Sequence, residues 1–144
     1  MSGLSASLRA TVARAAAEFD EVRERVEATV GGHWRVGIGT PRTDRREYGA
    51  CGEVDLVGRP RSPASPSWSV VMEVVLVRDP MPLVSIHGSV GYWPCPPREY
   101  PQIDLGYRDV DPDVGPETAV EMALDLERAL ISAIADNEGA GGDR

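Results

Sequence analysis

Histidine and carboxylate residues recur at alternate positions in stretches that otherwise read as strands. His33 and Arg35 alternate with Trp34, Val36 and Ile38; Glu53 and Asp55 with Val54 and Leu56; Ser85 and His87 with Val84 and Ile86. Glu73 is the one interior charge of SWSVVMEVVLVR, Ser67 to Arg78, on the side opposite Trp68 and Met72. Side chains two apart on a strand share a face. Strands whose apolar sides meet helices would therefore gather Arg35, Glu53, Glu73 and His87 on their outer face. A carboxylate beside an imidazole is the pairing of general acid–base catalysis, and His changes charge near neutrality. These four are the catalytic candidates. The same residues also describe a wetted sheet face with cross-strand charge pairs, which needs no catalysis.

Asp109-Val110-Asp111-Pro112-Asp113-Val114-Gly115 sets three carboxylates at alternate positions, as the opening of a calcium loop does. The glycine is one place late, the twelfth position is Val120, Glu121 is also late, and no helix leads in. Asp109, Asp111 and Asp113 are thus metal candidates by residue type, and the expected reading is no metal: acids ahead of a helix N-terminus, where the dipole favours them. Gly37-Ile38-Gly39-Thr40 lacks a third glycine and leads into a loop rather than the helix N-terminus a phosphate needs. No GxSxG, HExxH or Ser-x-x-Lys motif occurs. Cys51 and Cys95 belong to no CxxC pair and read as reduced thiols. No cofactor is expected.

Trp93, Tyr100 and Tyr107 lie with Arg98 and Arg108 in or beside a Pro-rich stretch. Aromatic rings and arginines are what recognition surfaces concentrate, so these five are the partner-binding candidates. The other role for such rings is to close the edge of a core.

Two helices and four strands must position these residues. From Ser5 to Val30, Leu8, Val12, Ala15, Phe19, Val22 and Val26 follow at spacings of three and four, an apolar helical stripe ended by Gly31-Gly32. The stripe either packs on the protein's own sheet or forms a seam with a second helix. Strands are expected at His33 to Gly39, Tyr48 to Val57, Ser67 to Arg78 and Leu83 to Trp93. Gly39 to Arg46 and the 22 residues from Pro94 to Gly115 read as loops. A second helix runs from Pro116 to Asn137, its polar stripe Glu117, Glu121, Asp125, Arg128, Ser132 and Asp136. The rest is apolar over more than half the circumference, broken by Glu127, which needs an arginine or a solvent edge. No helix separates successive strands, so parallel crossovers are excluded. The expected fold is α+β: a four-stranded antiparallel meander with N- and C-terminal helices packed on one face, α-β-β-β-β-α. Residues 1–137 form one domain and 138–144 a disordered tail.

The chain has 144 residues, 42% hydrophobic and 26% charged, enough for one core without staples. Its formal net charge is -8, and all 15 basic residues are Arg. The missing Lys reads as GC-rich codon usage. So acidic a chain has no global attraction for phosphate backbones or anionic lipid. No apolar run reaches the roughly 18 residues of a membrane span, and no signal peptide is evident. Neither nucleic acid nor membrane is an expected partner, and the expected location is the cytoplasm. With every familiar catalytic motif missing, the expectation is a non-enzymatic partner-binding protein of bacterial type, chaperone-, accessory- or immunity-like. The alternative is a small enzyme or ligand binder using the polar sheet face around His87 and Glu73. The wide apolar arc of the second helix suggests a homodimer, since Leu124 and Ile131 would otherwise meet water.

Overall fold

The computed structural model describes residues 2–30, 34–38, 42–46, 49–60, 67–77, 81–93 and 102–142. Helix α1 (Ser2–Val30) is followed by β1 (Trp34–Ile38), β2 (Arg42–Arg46), β3 (Gly49–Pro60), β4 (Ser67–Val77), β5 (Leu83–Trp93) and β6 (Gln102–Val110). A short 3-10 turn (Pro112–Val114) leads into α2 (Gly115–Gly142). The fold is α+β, an antiparallel sheet with a helix at each end of the chain. The four expected strands are β1, β3, β4 and β5, in that spatial order, and β6 extends the sheet beyond β5. One edge of β3 is shared end to end: β1 pairs with Leu56–Pro60, and β2 with Gly49–Glu53.

Both added strands fall in stretches expected to be loops, each for a physical reason. β2 reads RTDRR, with no apolar alternation to reveal it, as suits a charged edge strand. In β6 a bulge intervenes: Ser89 pairs with Asp104 and His87 with Tyr107, so Leu105 and Gly106 together oppose Gly88. The extra residue shifts the alternation. Ile103 and Leu105 face the helices from odd positions, Arg108 and Val110 from even ones, and the period of two is broken where it would have been read.

The core lies between the sheet and the two helices. Leu8, Val12, Ala15, Phe19, Val22 and Val26 of α1 are all buried, so the apolar stripe packs within its own chain. It meets Val54 and Leu56 of β3, Trp68, Val70, Met72, Val74 and Leu76 of β4, and Val84, Ile86 and Val90 of β5 in one cluster. Ala119, Met122, Ala123, Leu126 and Leu130 supply the α2 side. Because α2 packs on β4, β5 and β6 as well as on α1, its own chain covers a wider arc than a four-stranded sheet would allow. Ile131 packs against the core, and Leu124 and Val120 are half-buried. Helical backbone continues to Gly142, past the stop expected at Asn137. Each of the closing glycines costs about 1 kcal/mol against alanine, which an established helix can absorb.

Glu127 is answered by α1. The Arg25 Nε and Nη2 donate to Glu127 Oε1 at 2.9 and 2.7 Å, and Arg25 Nη2 lies 3.5 Å from Glu18 Oε2. The Glu18 and Glu127 side chains are 7% and 15% exposed, whereas Arg25 is 44% exposed. Arg25→Ala takes the guanidinium from the poorly hydrated Glu127 and leaves Glu18 to Arg14, 4.0 Å away. Half-exposure of the cation tempers the loss, and about 1–2 kcal/mol is expected. Urea unfolding of Arg25→Ala, Glu127→Ala and the double variant checks this. Additive losses would show that the bridge contributes nothing.

Candidate functional site

The outer face is built from odd-numbered positions of β3, β4 and β5, whose even-numbered neighbours are buried against the helices. Register then aligns residues across strands. One row runs Glu53, Glu73, His87, Tyr107, with Arg42 opposite Glu53 at its far end. Glu53, Glu73 and His87 are thus brought together as the alternation implied. Cross-strand neighbours stand about 5 Å apart, so Glu73 lies between a second carboxylate and an imidazole. Arg35 is not part of the group: it pairs with Arg59, six positions along β3 from Glu53, or about 20 Å.

His87 is oriented by β6. Its Nε2 lies 2.8 Å from Asp104 Oδ1, and its ring stacks on Tyr107 with centroids 4.4 Å apart and planes 23° from parallel. The same Asp104 oxygen accepts the Gly106 backbone N–H at 2.7 Å. That bond closes the bulge, where Gly106 adopts φ +79°, a left-handed conformation that glycine takes without steric cost. The bulge therefore sets an aspartate under the histidine and a tyrosine beside it. The Asp104 carboxyl is held below the usual carboxylate range, first by the Gly106 N–H and second by His87.

Asp104 went unrecognised as a site residue because it stood in an apparent loop. The trace that marks it is Asp104-Leu105-Gly106, an acceptor two residues before a glycine. A depressed carboxyl contributes stability that is present above its unfolded-state value and lost as pH falls through the folded one. In a carbon-detected NMR titration, Asp104 is expected to have a lower midpoint than an unperturbed aspartate. His87→Ala is expected to move that midpoint only part of the way back, since the Gly106 N–H remains. Full return to the ordinary value would make His87 the main holder instead.

The partner-binding candidates do not form one patch. Tyr107 is 67% exposed on the outer face. Arg108, the next residue on β6, faces the helices, where its guanidinium binds Asp125 of α2, itself also bound by Arg128. Successive strand residues point to opposite faces, so Tyr107 and Arg108 cannot serve one surface. The Arg108 bond is the main reason the Asp125 carboxyl is held below its usual range. Trp93 ends β5 opposite Ser67, and Arg98 and Tyr100 lie outside the described residues.

The three aspartates of the calcium-like stretch are separated by the elements they enter. Asp109 is on the outer face of β6 opposite Ser85, while the Asp111 side chain accepts the Asp113 backbone N–H at 3.0 Å and caps the 3-10 turn. Among the described residues no three His, Cys, Asp or Glu side chains are gathered as metal ligands, and no helix is long and apolar enough to cross a membrane.

The arrangement presents an oriented imidazole, carboxylates on both sides of it and a stacked phenol on an open sheet face. Compared with known proteins, the chain matches no family model, no curated protein and no solved structure.

Proposed function

We propose that this is a non-enzymatic binding protein whose contact surface is the outer face of the sheet. One observation carries the reading: both helices pack on the same side, and the opposite side holds Val57, Val71, Val75, Val77 and Leu83 among the carboxylates, all half-buried. A sheet face that only met water would alternate to polar residues throughout. At about 4.8 Å per strand and 3.3 Å per residue, the four strands β3 to β6, averaging about 11 residues, offer roughly 700 Å². That approaches the roughly 800 Å² each partner contributes to an ordinary stable interface.

A random displayed-peptide selection on the folded full-length protein tests the reading. Enriched peptides are expected to shift the amides of Glu53, Glu73, Ser85 and His87. Peptides that shift only α1 and α2, or enrichment no better than on denatured protein, would overturn it.

The second reading, a small enzyme or ligand binder, is favoured by the His87–Asp104 bond. Asp104 is 67% exposed, however, so its carboxylate works in water, where such a pair is weak. A two-fold contact through α2 would add to the binding reading, with Val120, Leu124 and Ile131 as its remaining apolar positions. Light scattering at micromolar concentration distinguishes 15.5 kDa from twice that mass.

A further inference from the structure

We infer that the occupant of the outer face is a cationic amphipathic helix presented by a protein partner. This names the ligand of the surface proposed above and rests on that proposal. The middle strand of that face is β4. Its outward residues are Ser69, Val71, Glu73, Val75 and Val77, and Leu83 stands opposite Val77 on β5. They make an aliphatic strip with one acid at its middle. From Val71 to Val77 the strip runs about 20 Å, the length of about 13 helical residues at 1.5 Å each.

Acids border the strip on two sides. On β3, Glu53 stands opposite Glu73 and Asp55 opposite Val71. On β6, Asp104 stands in line with Ser89 and Asp109 in line with Ser85, in the rows that contain Val71 and Val75. These two files are three strand spacings apart, about 14 Å. A helix with its side chains is about 10–12 Å across, so basic residues on its flanks reach both files while its apolar stripe lies on β4. Between the files, β5 contributes the small Ser85 and Ser89 and an imidazole already tethered by Asp104 and Tyr107. On β2, Arg42 stands opposite Glu53, at the outer border of the β3 file.

Charge decides among occupants. A second copy placed face to face would set these acids against themselves, in a chain of net charge -8. Nucleic acid and anionic lipid are repelled for the same reason. An added strand would pair either along β6, whose ladder is interrupted by the bulge at Leu105-Gly106, or along β1 and β2, an edge divided between two strands of five residues each. A basic helix gains from steering and from the apolar strip together.

The test uses the full-length protein and three synthetic peptides of about five helical turns, compared by calorimetry at low salt with NMR mapping. The first has leucines at three- and four-residue spacing flanked by lysine and arginine. The second rearranges the same residues so that no apolar stripe forms, and the third replaces each basic residue by glutamate. The first is expected to bind, to gain helical circular dichroism on binding, to weaken with salt, and to shift Glu53, Val71, Glu73, Val75 and His87. Glu53→Lys/Glu73→Lys is expected to weaken it at least about tenfold. Glu73→Gln, which keeps the side-chain shape, should lower affinity in the same direction if the double variant fails to fold. Equal binding of the second peptide, or binding of the third, overturns the inference. If the first peptide does not bind while selected peptides of other character map to the outer face, the helix inference falls and the binding-face reading stands. If selected peptides map elsewhere, both fall.

Discussion

Trp68→Ala is expected to cost about 3–5 kcal/mol, among the largest losses from a single truncation of the described residues. Trp68, the second residue of β4, is fully buried in the sheet–helix core and pairs across strands with Gly58. Its indole lies over the Gly58 backbone so closely that a Cβ at Gly58 would overlap Cε2 and Cζ2. The ring thus fills the space that a side chain on β3 would otherwise occupy. Gly58→Ala is accordingly expected to cost about 1–3 kcal/mol, because neither a rigid indole nor a central strand can yield. The two effects are coupled. With Trp68 removed, an added methyl at Gly58 meets only the cavity, so Gly58→Ala should be nearly neutral in the Trp68→Ala background. Chemical denaturation of the four proteins of this cycle measures the coupling. A full Gly58→Ala penalty without the indole would show that strand geometry, and not the ring, excludes the side chain.

Gly88→Val is expected to cost about 2–3 kcal/mol by lifting α2 from the sheet. A Cβ at Gly88 would stand 2.5 Å from Met122 Sδ and 3.1 Å from both terminal carbons of Leu126. Methionine usually adapts by rotating away, but Met122 and Leu126 are fully buried, and a close-packed interior gives such side chains little room to move. Gly88 also faces the bulge of β6, so displacement there would disturb the Asp104 support of His87. The variant should therefore lose stability and also broaden or shift the His87 and Tyr107 ring resonances. Stability within about 0.5 kcal/mol of the parent, the range of ordinary surface substitutions, would mean that α2 does not press on β5 at this point.

The helices and the central strands were legible because periodicity is a local record of burial. Leu8, Val12, Ala15, Phe19, Val22 and Val26 recur at the helical period and all are buried; Val54, Leu56, Val84, Ile86 and Val90 recur at every second residue and face the helices. Glu53, Glu73 and His87 could be assigned to one face for the same reason, since face follows from parity alone. The need of Glu127 for a cation was also readable, because an acid within an apolar arc must be neutralised or solvated. That the cation is Arg25, from the other end of the chain, follows only from how α1 and α2 pack.

What tertiary structure alone decided is register and the places where the period breaks. Arg35 has the right parity, yet it lies far along β3 because pairing, not parity, sets position along a strand. The bulge at Leu105-Gly106 hid β6, turned Arg108 inward and placed Asp104 under His87. A single extra residue reverses every face beyond it, and it is stabilised by contacts with β5 and α2 that are distant in sequence. In α1, β3, β4 and β5 the amino-acid sequence by itself determined which residues are buried and which are wet, because that depends on side-chain chemistry and a local period. Which wet residues meet one another was decided by pairing across strands, an energy shared between segments and recorded in neither of them alone.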